Sequence, residues 1–421
     1  MRTPALLLLA LGYCTTAWAL DLRGELGLDV RQFPHQGAQG QSQLNVALRG
    51  QADLWYSPNQ GRDAFTFSPF VRADTEDSQR DLVDIRELAW LHVNEHFELR
   101  TGIRQVYWGV TEGARLVDII NQTDTADGPE GDRKLGQPMV NLSLGGHSHT
   151  LDLFLLLGHR QPTFPGTDGR MRLPLVVDTD QATWESSRKQ ERIDLAARWQ
   201  WTAFPFWLGI SGFSGTAREP ELAPVLDPAQ LQYDNGQPVG LAPGYTPTLA
   251  PHYPLIHQLG LDLQVTQGDL LWKLEAIQRW GGNKDYHAAN AGLEYTQVGV
   301  LGSRLDLGWL LEGLYDSRGR EATTPFDRDL LLGWRLTFND MASTELLSSV
   351  IVDLDSGERL FSLEARRRLA DGWSIALELR QIAGTPGPQT AEAFVFTPDT
   401  RYALRPLARD SFTRLQLSWF F

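Results

Sequence analysis

Arginine returns at alternate positions along this chain, and it does so together with carboxylates. Arg23, Arg49, Arg72, Arg86, Arg100 and Arg104 each share one phase of an alternating stretch with Asp or Glu. Lys273, Arg304, Arg335, Arg366 and Arg380 repeat the arrangement further on. A guanidinium is a permanent cation whose planar fork of donors matches carboxylate and phosphate. Rows of both signs on one wall would set a transverse field that orients polar or anionic solutes. Equally, they would simply pair with one another across a wet surface. Arg86, Arg100 and Arg104 are the densest basic group and head the solute-facing set, with Trp108 at the end of the same stretch.

Two other constellations could bind ions. Asp124, Asp127, Glu130 and Asp132, with Gly128 and Gly131 between them, have the oxygen ligands and flexibility of a calcium loop without EF-hand spacing. A solvated acidic turn accounts for them as well. His147 and His149 offer two imidazoles at a turn, but no third ligand is evident. No nucleophile elbow, phosphate loop or Cys-x-x-Cys motif occurs, so neither an enzyme nor a cofactor is expected. A barrel enzyme whose site is assembled from separate strands would leave no local motif, and that reading stays open.

These residues surround a break in rhythm. From Trp108 to Pro138 the period-two alternation stops. Glu112, Arg115, Asp118, Asn121 and Asp124 are spaced through a segment whose Leu116-Val117 and Ile119-Ile120 pairs would be a liability on an exposed surface. Thr111 could cap a short helix through Ala114–Ile120. The expectation is an inward-folded constriction over 109–138, with an outer cap as the other option.

The elements that must position these groups are strands. In 21–32, Leu22, Leu26, Leu28 and Val30 take one face, and Asp21, Arg23, Glu25, Asp29 and Arg31 the other. Such runs exceed the usual globular strand of about 5–6 residues and match the ~10-residue dyad strands of a membrane barrel. Eighteen are counted, near 21–32, 41–57, 63–75, 82–94, 96–108, 139–146, 148–158, 190–203, 204–215, 255–266, 269–281, 286–299, 302–316, 327–339, 342–355, 358–370, 372–384 and 411–421. Every second connection is short, while 109–138, 159–189, 216–254 and 385–410 all fall on the other side. The 216–254 connection holds eight prolines and three tyrosines, which forbids helix and favours an ordered extended lid. Trp199, Trp201, Trp272, Trp309 and Trp334 occupy the apolar phase, as interfacial belts require.

Compartment and solvent follow from the ends and the composition. Arg2, the apolar Ala5–Leu11 run and Ala17-Trp18-Ala19 read as a cleaved leader over 1–19, which removes the one cysteine, Cys14. The remainder, 20–421, reads as a single barrel domain. A net charge of −14 argues against a nucleic-acid partner. At the C-terminus Leu415, Leu417, Trp419 and Phe421 share one face and end in an aromatic.

That terminus, the leader and the alternating strands resemble the large porin-like barrels of Gram-negative outer membranes. More narrowly, Trp108-Gly109 followed by Asp118-Ile119-Ile120-Asn121-Gln122-Thr123-Asp124 resembles a Trp-Gly…Asn-x-x-Asp element of alginate-export-like porins and related barrels of unknown function. Those families often carry Pro after the Asn, where this chain has Gln122. The resemblance implies an all-β, transmembrane, antiparallel up-and-down barrel of about 18 strands (16 is the alternative count) in the cell outer membrane. Its surroundings would be the bilayer and lipopolysaccharide, and its C-terminal strand would be the signal for the barrel-assembly machinery. General porins are trimers, so a homotrimer is an open arrangement. The expected function is passive passage of small polar or anionic solutes. An exporter or lipid- or polysaccharide-transfer barrel working with a periplasmic or inner-membrane partner is the rival.

Overall fold

The computed structural model describes residues 20–128, 133–322 and 324–421; the expected leader lies outside them. Eighteen strands form one antiparallel sheet. Numbered in chain order they are β1 (Leu20–Gln32), β2 (Leu44–Tyr56), β3 (Asp63–Asp74), β4 (Leu82–Val93), β5 (Phe97–Arg104) and β6 (Gln137–Gly145). Then follow β7 (His149–Leu157), β8 (Ile193–Ala203), β9 (Phe206–Thr216), β10 (Leu255–Gln267), β11 (Leu270–Gly281) and β12 (Tyr286–Gln297). The last six are β13 (Asp306–Asp316), β14 (Arg328–Thr337), β15 (Glu345–Asp353), β16 (Arg359–Ala370), β17 (Trp373–Ala383) and β18 (Phe412–Phe420). Each pairs with its sequence neighbours, and β18 pairs with β1 from Glu25↔Phe420 to Gln32↔Thr413. The sheet is therefore a closed barrel with no free edge.

Burial is inverted relative to a water-soluble protein. In β1, Leu22, Leu26 and Leu28 are exposed on the outside, whereas Asp29 and Arg31 are buried inside. The arrangement is stable only where the outer medium is apolar, as it is for a membrane barrel. Outward aromatics cluster at the short-turn end: Tyr295, Trp309 and Trp334 are neighbours in register across β12–β14. Trp373 and Trp419 stack at 6.3 Å on β17 and β18.

The strand expectations hold to within three residues, with two exceptions: β13 begins at Asp306 rather than 302, and the other is β5. β5 ends at Arg104, so Gln105–Trp108 leave the sheet four residues early. The loops on the far side carry structure that period-two reading does not reveal. L3 spans 105–136, L4 158–192, L5 217–254 and L9 384–411. In L5, Glu221–Val225 pairs with Thr248–Tyr253, which Thr183–Trp184 of L4 joins in parallel. Its tip is a hairpin, Leu231–Asp234 with Gln237–Leu241, turning on Asn235-Gly236 with positive φ at both residues.

The interior is divided. Behind β6–β12, Trp108, Val117, Ile119 and Ile120 of L3 pack on inward apolar residues such as Met139, Phe154, Leu156 and Phe213. That half of the cross-section is filled like the core of a soluble domain. On the side of β14–β18 and β1 lies a cavity of about 610 Å³, half of whose lining residues are charged.

Candidate functional site

Asn121 is the central clasp at the neck of L3, beside a bond from Lys134 to the Val106 carbonyl at 2.6 Å. Asn121 accepts from Val106 N at 2.8 Å and donates to the Arg104 carbonyl at 2.8 Å and the Leu135 carbonyl at 2.9 Å. The outgoing and returning limbs are thereby tied together, and Lys134 adds an ion pair with Asp118. Beyond the neck Gly109, at φ +107°, turns the chain toward β11, where a Cβ would lie 2.8 Å from Glu275 Oε1. Glu275 Oε1 accepts from Val110 N at 2.5 Å and Thr111 N at 2.9 Å, and Oε2 from Val117 N at 3.2 Å. Glu312 of β13 accepts from Glu112 N at 2.9 Å and Gly113 N at 2.8 Å. Asn290 of β12 donates to the Ala114 carbonyl at 2.6 Å.

These contacts explain why the helix expected after Thr111 does not form. The N–H groups of a would-be first turn are taken by two wall carboxylates. Thr111 Oγ1, the expected cap, lies 2.8 Å from Glu275 Oε1 and 2.7 Å from the Ala114 carbonyl instead. Tertiary acceptors outcompete local capping.

The acidic stretch meets the opposite wall. Arg72 donates to both oxygens of Asp124, at 2.9 and 3.2 Å. Asp127 receives Arg80 at 2.6 Å and Arg31 at 3.4 Å and pairs with Arg133. Burial opposes ionisation of Asp127, but Arg133, Arg80, Arg31 and Arg72 outweigh it and hold its carboxyl well below the ordinary range. Both aspartates are thus neutralised by arginines rather than arranged around a cation, while Glu130 and Asp132 lie outside the described residues. Among the described residues no three His, Cys, Asp or Glu side chains gather as metal ligands.

The expected solute-facing arginines do not converge. Arg23 pairs with Asp21 at 3.0 Å near the exposed start of β1, and Arg49 pairs with Glu25. Arg72 is buried against Asp124. Arg86 lies over the Phe70 ring at 3.8 Å, Arg100 pairs with Glu98, and Arg104 donates to Asn141 at 3.0 Å. Trp108 is 6% exposed, edge-on to Phe154 at 5.6 Å with Arg198 over its ring, so it roots the loop in the wall. In L3, Glu112 reaches Arg335 at 2.8 Å, and Arg115 stands exposed on the turn.

The cavity is lined by other residues. Arg31, Arg133, Arg335, Arg366, Arg380 and Arg414 face Asp127, Glu345, Glu364 and Glu378, six cations against four anions. Arg366 pairs with Glu345 at 2.7 Å, and Arg380 with Glu364 and Glu378 at 3.0 Å each. Arg414 pairs with Asp29 at 2.5 Å and Glu378 at 3.1 Å. The Arg366 side chain keeps 66% of its surface in solvent. Alternation placed Arg335, Arg366 and Arg380 on the inner wall but gave no reason to rank them above Arg100 or Arg104. The signal that ranks them is the apolar run Leu153–Leu157 of β7, which marks the filled half and so puts the open half opposite.

Two straps cross the mouth above. Arg170 of L4 donates to Asp410 Oδ1 at 2.7 Å and to the Ser42 carbonyl at 2.7 Å. The L5 hairpin reaches L9, where Leu241 N donates to Glu392 at 3.0 Å.

No family model matches the sequence, and no curated protein matches it. Solved structures do. A BenF-like porin from Pseudomonas fluorescens Pf-5 superposes with a TM-score of 0.50 at 9% identity, over 96% of this chain and 98% of that one. OccK8 (OprE) of Pseudomonas aeruginosa superposes at 0.51 and 11% identity, over 96% and 98%. At such identities the likeness is one of fold: the chain is a closed 18-stranded antiparallel β-barrel, similar in architecture to these two porins.

Proposed function

We propose that the chain is an outer-membrane channel for small polar or anionic solutes, with L3 as its constriction and the charged cavity as its passage. The observation that carries this reading is the lining itself: a cavity walled by six arginines, each held beside a carboxylate, with the Arg366 side chain two-thirds in solvent. Guanidinium groups held on a rigid wall can exchange a protein carboxylate for a solute anion without reorganising. The apolar outer face and aromatic girdle suit a bilayer.

Purified protein in a planar bilayer tests the reading. Discrete conductance steps are expected, and Arg366→Glu with Arg380→Glu should move the reversal potential toward cations. Arg100→Glu with Arg104→Glu should move it less. A folded protein that opens no channels would overturn the proposal, and an unchanged reversal potential would remove Arg366 and Arg380 from the path.

A further inference from the structure

We infer that Glu275 and Glu312 are positioning residues: they latch the L3 turn to the wall and thereby set the width and charge of the passage. The inference rests on the channel reading. Five N–H groups, those of Val110, Thr111, Glu112, Gly113 and Val117, converge on these two carboxylates. Backbone amides that converge in this way form an anion site, and here the wall supplies the anion. Both glutamates are almost fully buried, at 0% and 1% exposure. Among the described residues neither has a cation within ion-pair distance. The amides of L3 are therefore their direct compensation, with Lys273 and Arg198 acting only from further off, and withdrawing the turn would leave two buried carboxylates without hydrogen-bond donors.

Hydrophobic packing does not do this work alone. Val117, Ile119 and Ile120 bury the return limb, whereas Ala114 and Leu116 on the turn are only partly covered. The polar grip fixes where the turn sits. It also delivers Glu112 to Arg335 at 2.8 Å and Lys273 at 3.5 Å, beside the cavity. Release would widen the passage and leave Arg335 with the more distant Glu294, at 3.4 Å, as its carboxylate.

The test combines Glu275→Gln and Glu312→Gln, singly and together, with a disulfide reporter. A Cβ at Gly113 would lie 2.9 Å from Leu314 Cδ2, so Gly113→Cys with Leu314→Cys sets two thiols facing one another only while the turn is seated. The only native cysteine is Cys14, in the expected leader. The bridge should form readily with both glutamates present and slowly in the Gln variants. Those variants should show larger conductance steps, sublevels and a stronger anion preference, and closing the bridge should restore the parent step. Wild-type conductance together with an unchanged bridging rate would overturn the latch. Absence of channels from every variant would sink the channel reading instead, with the bridging rate still reporting on the latch. Heat-modifiable mobility identifies folded barrels; should the double variant not assemble, the single variants decide by the same two readouts.

Discussion

His159 shows what a single buried group does to the mouth. Its Nε2 donates to the Ala217 carbonyl at 3.1 Å, and its ring meets Tyr253 at 4.6 Å where L4 and L5 join. Burial, then the nearby Arg218, pull its pKa from the ordinary 6.5 to about 3, a shift only partly offset by the bond to Ala217. An opened joint takes up a proton near 6.5; the closed joint does not. Closure is therefore fully favoured above pH 6.5 and weakens as pH falls toward 3, by about 1.4 kcal/mol per unit. Hydrogen exchange at the joint should rise through that window, and His159→Gln should flatten the rise. Parallel curves for the two proteins would assign the titration elsewhere. At this scale the sequence is least informative. Asn121 stands out in its Trp-Gly…Asn-x-x-Asp setting, but its three partners lie 14, 15 and 17 residues away, and no spacing rule reaches them.

At the scale of elements the seam between β1 and β18 matters most. Gly24 and Phe421 exchange backbone bonds at 2.8 and 3.1 Å. The Phe421 ring sits where a Gly24 side chain would be, since a Cβ there would fall 2.2 Å from its Cζ. Trp419 covers the ring at 4.9 Å. The aromatic terminus thus has a built seat, and Gly24→Leu should evict it. Slower assembly into the heat-modifiable form, with no change in conductance for the barrels that do close, is the expected result; unchanged assembly would mean the seat is incidental. Strands are the most legible elements here, because a wall between lipid and water forces alternation on nearly every residue. L3 is less legible for the converse reason. Its turn looks helical by composition, yet its amides are claimed by Glu275 and Glu312, which lie 158 or more residues away.

Taken as a whole, the molecule is a hollow cylinder packed on one side. Alternation assumes a wet lumen everywhere, so it counts inward positions without saying which of them see water. β7 violates the assumption with Leu153–Leu157 apolar on both faces, as in strands covered on both sides. Arg100 and Arg104 are accordingly half-buried beside β6, while the cavity opens toward β14–β18. The same asymmetry should govern how the barrel yields to force. Drawn from its C-terminus by a probe tip, the barrel surrenders strands in pairs. The hairpins from β18 back to β14 are held by their own ladders and by separate polar ties such as Arg170–Asp410 and Arg414–Asp29, and should leave at lower force. The wall from β12 back to β6 must drag L3 out of its apolar bed, so the force trace should climb abruptly midway through the extraction. Deleting 110–120 should level that step.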